Sequence, residues 1–283
     1  MKIIRSPAEM QTTALALRRD GRRIGLVPTM GYLHEGHLSL IRIARPHAEV
    51  VVVSIFVNPT QFGPNEDLGK YPRDFERDER LCREAGADIV FYPSAADMYP
   101  ADHSVFVVEE RLSRGLCGAA RPGHFRGVCT VVAKLFNLVL PDSAVFGEKD
   151  GQQLRIIERM VRDLDFSVRI VRGPTVREPD GLAMSSRNVF LAPEERRQAL
   201  CLRKALDRTE AMHRDGERDA EKVRKALREV IAEAPLARID YVEIVDDVTL
   251  EPVQTLDRPS LVALAVFVGK TRLIDNTVIG AGA

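Results

Sequence analysis

The chain has 283 residues, enough for one large or two modest domains with a buried core. Lysine plus arginine (41) equals aspartate plus glutamate (41), so the formal charge is zero and the basic footprint of a general nucleic-acid binder is missing. Cys82, Cys117, Cys129 and Cys201 form no Cys-x-x-Cys pair and no apolar run reaches the ~20 residues of a membrane span; we expect a soluble, cytoplasmic protein with reduced thiols.

In chain order, the N-terminus (Met1 to Pro7) breaks after two isoleucines and has no signal-peptide core. Residues 24–27 form a short apolar run that reads as a strand. It leads into Pro28-Thr29-Met30-Gly31-Tyr32-Leu33-His34-Glu35-Gly36-His37 and then Leu38-Ser39-Leu40-Ile41-Arg42-Ile43, a strand, a glycine-bearing turn and a helix. Two histidines three apart fall where that helix should begin. A helix start offers free N–H groups and the positive end of the dipole, a natural seat for phosphate. The zinc pattern His-Glu-x-x-His is not met; a structural turn is the plainer alternative.

Residues 50–57 are continuously apolar and mostly β-branched, as a central parallel strand is. Asn58-Pro59-Thr60-Gln61-Phe62-Gly63 follows, so Asn58 and Gln61 could face a cleft, although Asn and Pro also suit an ordinary turn. Residues 74–85 read as a charged helix with Phe75 and Leu81 inward. Strands are expected at 89–92 and 144–146, and a more alternating one, nearer an edge, at 167–171.

Gly115 to Gly127 carries two arginines, a histidine and several glycines, which suits an anion, a mobile loop or a solvated connection. Val128, Val131, Val132, Leu135 and Val139 then recur at helical spacing. Phe146-Gly147-Glu148-Lys149-Asp150-Gly151-Gln152-Gln153 again follows a strand and opens a helix, 152–164. Lys149 could neutralise phosphate, Asp150 could accept from a ribose hydroxyl, and Gln153 could reach back along the first turn.

This alternation predicts an α/β fold, a Rossmann-like parallel sheet wrapped by helices, over residues 1–175. Ligands bind at the C-terminal ends of such strands, where His34, Asn58 and Gly147 should converge. Residues 176–283 read as a smaller α+β domain closing over the site. It has a polar loop containing Met184-Ser185-Ser186-Arg187-Asn188, helices near 194–214 and 219–233, and strands at 239–245, 261–268 and 273–279. Two hydroxyls and a guanidinium in sequence make a good polyphosphate clamp. No P-loop and no Gly-x-Gly-x-x-Gly fingerprint occurs.

Taken together, PTMGYLHEGH at 28–37, NPTQFG at 58–63, YPRD at 71–74, GHFRGV at 123–128, FGEKDGQQ at 146–153, PTVREPDGLAMSSRN at 174–188 and TRLIDN at 271–276 resemble the pantothenate synthetase (pantoate–β-alanine ligase) family over almost the whole chain. The likeness extends to the nucleotidyl-transfer group that includes class I tRNA synthetases. It implies ATP-dependent condensation of pantoate with β-alanine through a pantoyl-adenylate, with Mg²⁺ accompanying ATP, in a homodimer. By the same resemblance His34, His37 and Lys149 meet the phosphates, and Ser185, Ser186 and Arg187 hold pyrophosphate. Met30, Gly31 and Gly36 line the nucleotide, Gly147, Glu148 and Asp150 lie at the ribose, and Val176 and Met184 lie near adenine. Gln61 and Gln153 bind pantoate, supported by Asn58 and Tyr71. Acidic residues commonly follow the Tyr-Pro-Arg stretch in this family. Here Arg77 interrupts Asp74, Glu76 and Asp78, and those side chains are left without a role. The competing readings are a nucleotidyltransferase of the same fold group acting on a phosphorylated metabolite, and a non-catalytic nucleotide binder.

Overall fold

The computed structural model describes residues 1–64 and 66–280. Its backbone clusters into two compact units. One holds Met1–Glu110, Arg121–Glu148 and Ile156–Pro174; the other holds Arg111–Ala120, Lys149–Arg155 and Thr175–Ala283, of which 281–283 lie outside the described residues.

In chain order the first stretch runs β1 (Lys2–Ile4), α1 (Pro7–Arg19), β2 (Ile24–Thr29), α2 (Glu35–Ala44), β3 (Val50–Ile55), α3 (Phe75–Glu84), β4 (Ile89–Phe91), α4 (Ala95–Met98), α5 (Leu116–Ala120), α6 (His124–Val139), β5 (Ser143–Gly147), α7 (Gly151–Asp163) and β6 (Arg169–Gly173). The six strands make one sheet in the order β1-β4-β3-β2-β5-β6, and every pairing is parallel. The uninterrupted β-branched run of β3 is buried at all six positions, because neighbours flank it on both sides and helices cover it. β6 lies at the edge, with Arg169 and Arg172 exposed, as its alternation suggests. Val27, Val51, Val53, Val90 and Val145 from the strands meet Leu33, Ile41 and Cys82 in one core.

Three local features of this stretch differ from the expectation. β1 and α1 were not anticipated; Ser6 caps α1 by accepting from the Glu9 N–H, and Pro7 stands where its missing N–H loses nothing. α6 begins at His124, so the stretch 115–127 is not one loop but α5 and the first turn of α6, joined through Gly123 at φ +82°. On α3 the fully buried positions are Asp78 and Cys82, while Phe75 and Leu81 are only partly covered.

The second unit adds α8 (Pro193–Ala199), α9 (Cys201–Arg214) and α10 (Ala220–Ala232), so the helix expected at 194–214 is two helices parted at Leu200. The strands β7 (Ala237–Asp246), β8 (Ser260–Val268) and β9 (Thr271–Ile279) form an antiparallel sheet in that order. Val223, Leu227 and Ile231 of α10 pack on Val242, Ile244, Val262 and Leu264. None of the helices of the described residues is long and apolar enough to cross a membrane.

Candidate active site

The turn after β2 is over-determined by short hydrogen bonds. Thr29 Oγ1 donates to the Ser54 carbonyl (2.9 Å) and accepts from the Gly31 N–H (3.2 Å). Gly31 and Tyr32 both take left-handed backbone, φ +85° and +49°. A Cβ on Gly31 would stand 3.0 Å from both Asp78 Oδ2 and Ile55 Cγ2, so glycine is required there for space as well as for φ. Asp78 of α3 accepts from the Tyr32 N–H (2.6 Å) and the Leu33 N–H (2.7 Å). Burial pushes its carboxyl above the ordinary aspartate value, outweighing those two N–H donors and the nearby Arg77. Asp78 therefore staples the turn from below. The sequence signal for it was its place on the Phe75, Leu81, Cys82 face of the helix.

That turn delivers His34 as the residue capping α2, in extended backbone at φ −136°. The His34 N–H donates to His37 Nδ1 (3.3 Å), the His37 N–H donates to the His34 carbonyl (2.8 Å), and the two rings lie 4.0 Å apart. Since His37 Nδ1 accepts, the ring carries its proton on Nε2 and presents a donor there. Both imidazoles are half-buried at the positive end of a ten-residue helix.

The Asn58 turn is held to the same unit. Asn58, 1% exposed, donates through Nδ2 to Gln61 Oε1 (3.1 Å) and to the Gly127 carbonyl (3.1 Å), and its Oδ1 accepts from Thr60 Oγ1 (3.0 Å). Gln61 Nε2 lies 3.1 Å from Met30 Sδ, a weak acceptor that a substrate oxygen would improve on. Tyr71 is buried with its ring edge-on to Phe62 at 6.1 Å. A cavity of about 360 Å³ opens beside the turn, walled by Met30, Gly31, Phe56, Arg73, Asp78 and Tyr92; Asn58 and Gln61 are not in its wall.

In the second unit, strand β9 organises two expected site segments. Asn276 Nδ2 donates to the Lys149 carbonyl (2.7 Å), fixing the 3-10 turn Glu148–Asp150 that opens α7. Lys149 Nζ is only loosely paired with Asp150, at 3.8 Å. Gln153 is half-buried on the first turn of α7, whereas Gln152 is buried and spent on the Leu112 and Gly115 carbonyls. Asp275, beside Asn276 and 3% exposed, takes a two-pronged bridge from Arg177 at 2.6 and 3.0 Å. Arg177 lies next to Val176, whose carbonyl accepts from the Met184 N–H (3.0 Å), bringing those two residues together. Ser185 Oγ accepts from the Arg187 N–H (3.2 Å), a bond that leaves its own O–H as a donor. Ser186 is buried and Arg187 half-buried in the 3-10 turn that follows. In the sequence TRLIDN gives Asp275 and Asn276 no visible task; their side-chain hydrogen bonds reveal it.

Gly36 lies in the first turn of α2 and Gly147 ends β5, so His34, Asn58 and Gly147 all fall at the C-terminal edge of the parallel sheet. Among the described residues no group of three or more His, Cys, Asp or Glu side chains forms a metal cage.

The chain is similar to known proteins over almost its whole length. The family description pantoate-beta-alanine ligase matches residues 2–278. A pantothenate synthetase of Thermotoga neapolitana is 59% identical over 280 residues, 99% of this chain and 100% of that one. The crystal structure of pantothenate synthetase from Thermus thermophilus superposes with a TM-score of 0.93 at 47% identity, covering 98% of this chain and 99% of that one. A pantoate-beta-alanine ligase of Francisella tularensis, solved with beta-gamma ATP and beta-alanine, matches with a TM-score of 0.82 at 33% identity, covering 100% and 99% of the two chains.

Proposed function

The chain belongs to the pantoate–β-alanine ligase family and joins pantoate to β-alanine by an amide C–N bond with ATP as substrate; we propose that the bond forms through a pantoyl-adenylate. In the first step a pantoate carboxylate oxygen bonds to the α-phosphorus and pyrophosphate leaves. In the second the β-alanine nitrogen bonds to the acyl carbon and loses a proton, while the acyl C–O bond breaks and AMP departs with that oxygen.

The observation that carries this reading is the His37 ring, locked with Nε2 as donor at the head of α2. Charge grows on phosphate oxygens in the first step, and preorganised donors stabilise it most. We assign His34, His37 and Lys149 to those oxygens, and Ser185, Ser186 and Arg187 to pyrophosphate. Met30, Gly31 and Gly36 line the nucleotide, Gly147, Glu148 and Asp150 meet the ribose, and Val176 and Met184 flank adenine. Gln61 and Gln153, with Asn58 and Tyr71, take pantoate through neutral groups that do not repel its carboxylate. On this assignment residues 1–175 bind ATP and pantoate, and residues 176–283 supply the Ser185 loop. Mg²⁺ enters with ATP as part of the substrate, held largely by phosphate oxygens whose charge it neutralises. The four free, buried cysteines favour a reducing, cytoplasmic setting, and a homodimer completes the proposal.

Pyrophosphate release tests the order of steps. With ATP and pantoate alone we expect a burst of about one equivalent per site, and continuous release once β-alanine is added. Continuous turnover without the amine would favour a simple nucleotidyltransferase.

A further inference from the structure

The sequence Arg121-Pro122-Gly123-His124 suggests an anion-binding loop, but its charged groups are already committed within the first unit. Arg121 Nε donates to Glu66 Oε1 (3.0 Å), and its Nη2 reaches the other Glu66 oxygen. Nη2 also donates to the backbone carbonyl of Gln61 (3.2 Å). His124 Nδ1 lies 2.9 Å from that same carbonyl, and its Nε2 lies 3.1 Å from Arg121 Nη1.

Chemistry then fixes the imidazole. A carbonyl only accepts and a guanidinium only donates. His124 must therefore donate from Nδ1 and accept at Nε2, which is the neutral ring with its proton on Nδ1. The Gln61 carbonyl thus receives two donors, one from Arg121 just before α6 and one from His124 at its first position, and Glu66 holds the arginine in place. The backbone is drawn close enough that a Cβ on Gly127 would stand 2.5 Å from the Thr60 carbonyl oxygen. This is a latch on one residue, and that residue carries the amide placed between Asn58 and Met30.

We infer that Arg121 and His124 are positioning residues that hold Gln61 for pantoate, with Glu66 orienting Arg121. The inference rests on the assignment of Gln61 to pantoate. Neither side chain needs to touch the substrate, so their loss should act on pantoate recognition more than on ATP.

Steady-state KM values for pantoate and ATP, measured on the full enzyme, test this. Losing a hydrogen bond to a charged or fixed partner corresponds to roughly 10-fold. His124→Ala should raise the pantoate KM about 10-fold and leave the ATP KM within about 2-fold. His124→Asn, whose amide N–H can replace Nδ1–H, should recover most of that loss, and Arg121→Lys should resemble His124→Ala. An unchanged pantoate KM in His124→Ala, equal rises for both substrates, or an Asn variant no better than Ala would overturn the inference. Gln61→Ala is the control for the underlying assignment: if it leaves the pantoate KM unchanged, Gln61 does not bind pantoate and the latch loses its purpose. If His124→Ala does not fold, Glu66→Gln reports on the same latch; it should raise the pantoate KM several-fold, and no change would count against the idea.

Discussion

At the scale of single residues, the site is built from side chains whose donors and acceptors are decided by their neighbours. His37 presents Nε2–H because the His34 N–H occupies Nδ1. Lys149 keeps its charge loosely paired while its backbone is pinned by Asn276. Removing either cation-like donor should lower pantoyl-adenylate formation by roughly 10²–10³, the usual loss for one charge-stabilising donor. Rapid-quench measurement on His37→Ala and Lys149→Ala checks this, and near-normal rates in both would remove them from the phosphate site. Glu66 supplies a pH prediction. Burial pushes its carboxyl up, but the hydrogen bonds and charge of Arg121 outweigh burial and leave it below the ordinary glutamate value of 4.5. As pH falls, the unfolded chain takes up the proton first. The stabilisation is therefore complete above the ordinary value and disappears as pH drops through the folded one. Glu66→Gln should show a smaller fall in urea midpoint than the parent between about pH 5 and pH 3; an equal fall would show that the pair contributes nothing. His34, His37 and Lys149 stand out in the sequence because each falls just after a strand, and Ser185 and Ser186 because they adjoin Arg187 in a polar loop. Asp78 is only faintly marked, by its place on the Phe75, Leu81 and Cys82 face, since a carboxylate on a charged helix otherwise looks solvated.

At the scale of elements, what the sequence shows depends on how long each pattern runs. β3 is unmistakable because six β-branched or small residues are buried in succession. β1 is three residues long, too short for any period to emerge, although Ser6-Pro7 was a legible start for α1. In sequence the head of α6 reads as loop because its glycines and arginines resemble a turn, yet Gly127 is there to let the helix approach the Thr60 backbone. β9 has the least obvious task. Its Asp275 and Asn276 sit side by side in mid-strand and tie down Arg177 and Lys149, so one strand sets two segments that are more than 25 residues apart in sequence. Asn276→Ala should slow adenylate formation about 10-fold while costing about 1 kcal/mol of stability, the measure of one lost hydrogen bond. Pyrophosphate release and a thermal melt together check it; a destabilised but fully active variant would make Asn276 a purely structural residue.

At the scale of the whole molecule, the chain forms a parallel six-stranded sheet and a small antiparallel sheet, each described within its own unit. The alternation of strand and helix, the change of pattern after Pro174 and the order of the polar loops were all visible in the sequence. The assignment of segments 111–120 and 149–155 to the second unit was not, because it depends on contacts distant in sequence. The central claim is that ATP activates the pantoate carboxylate by adenylation, transferring one of its oxygens to AMP. Pantoate labelled with ¹⁸O in both carboxylate oxygens tests it most directly. The account predicts AMP carrying one ¹⁸O, with the other retained in the amide; unlabelled AMP, or ADP and phosphate as products, would contradict it.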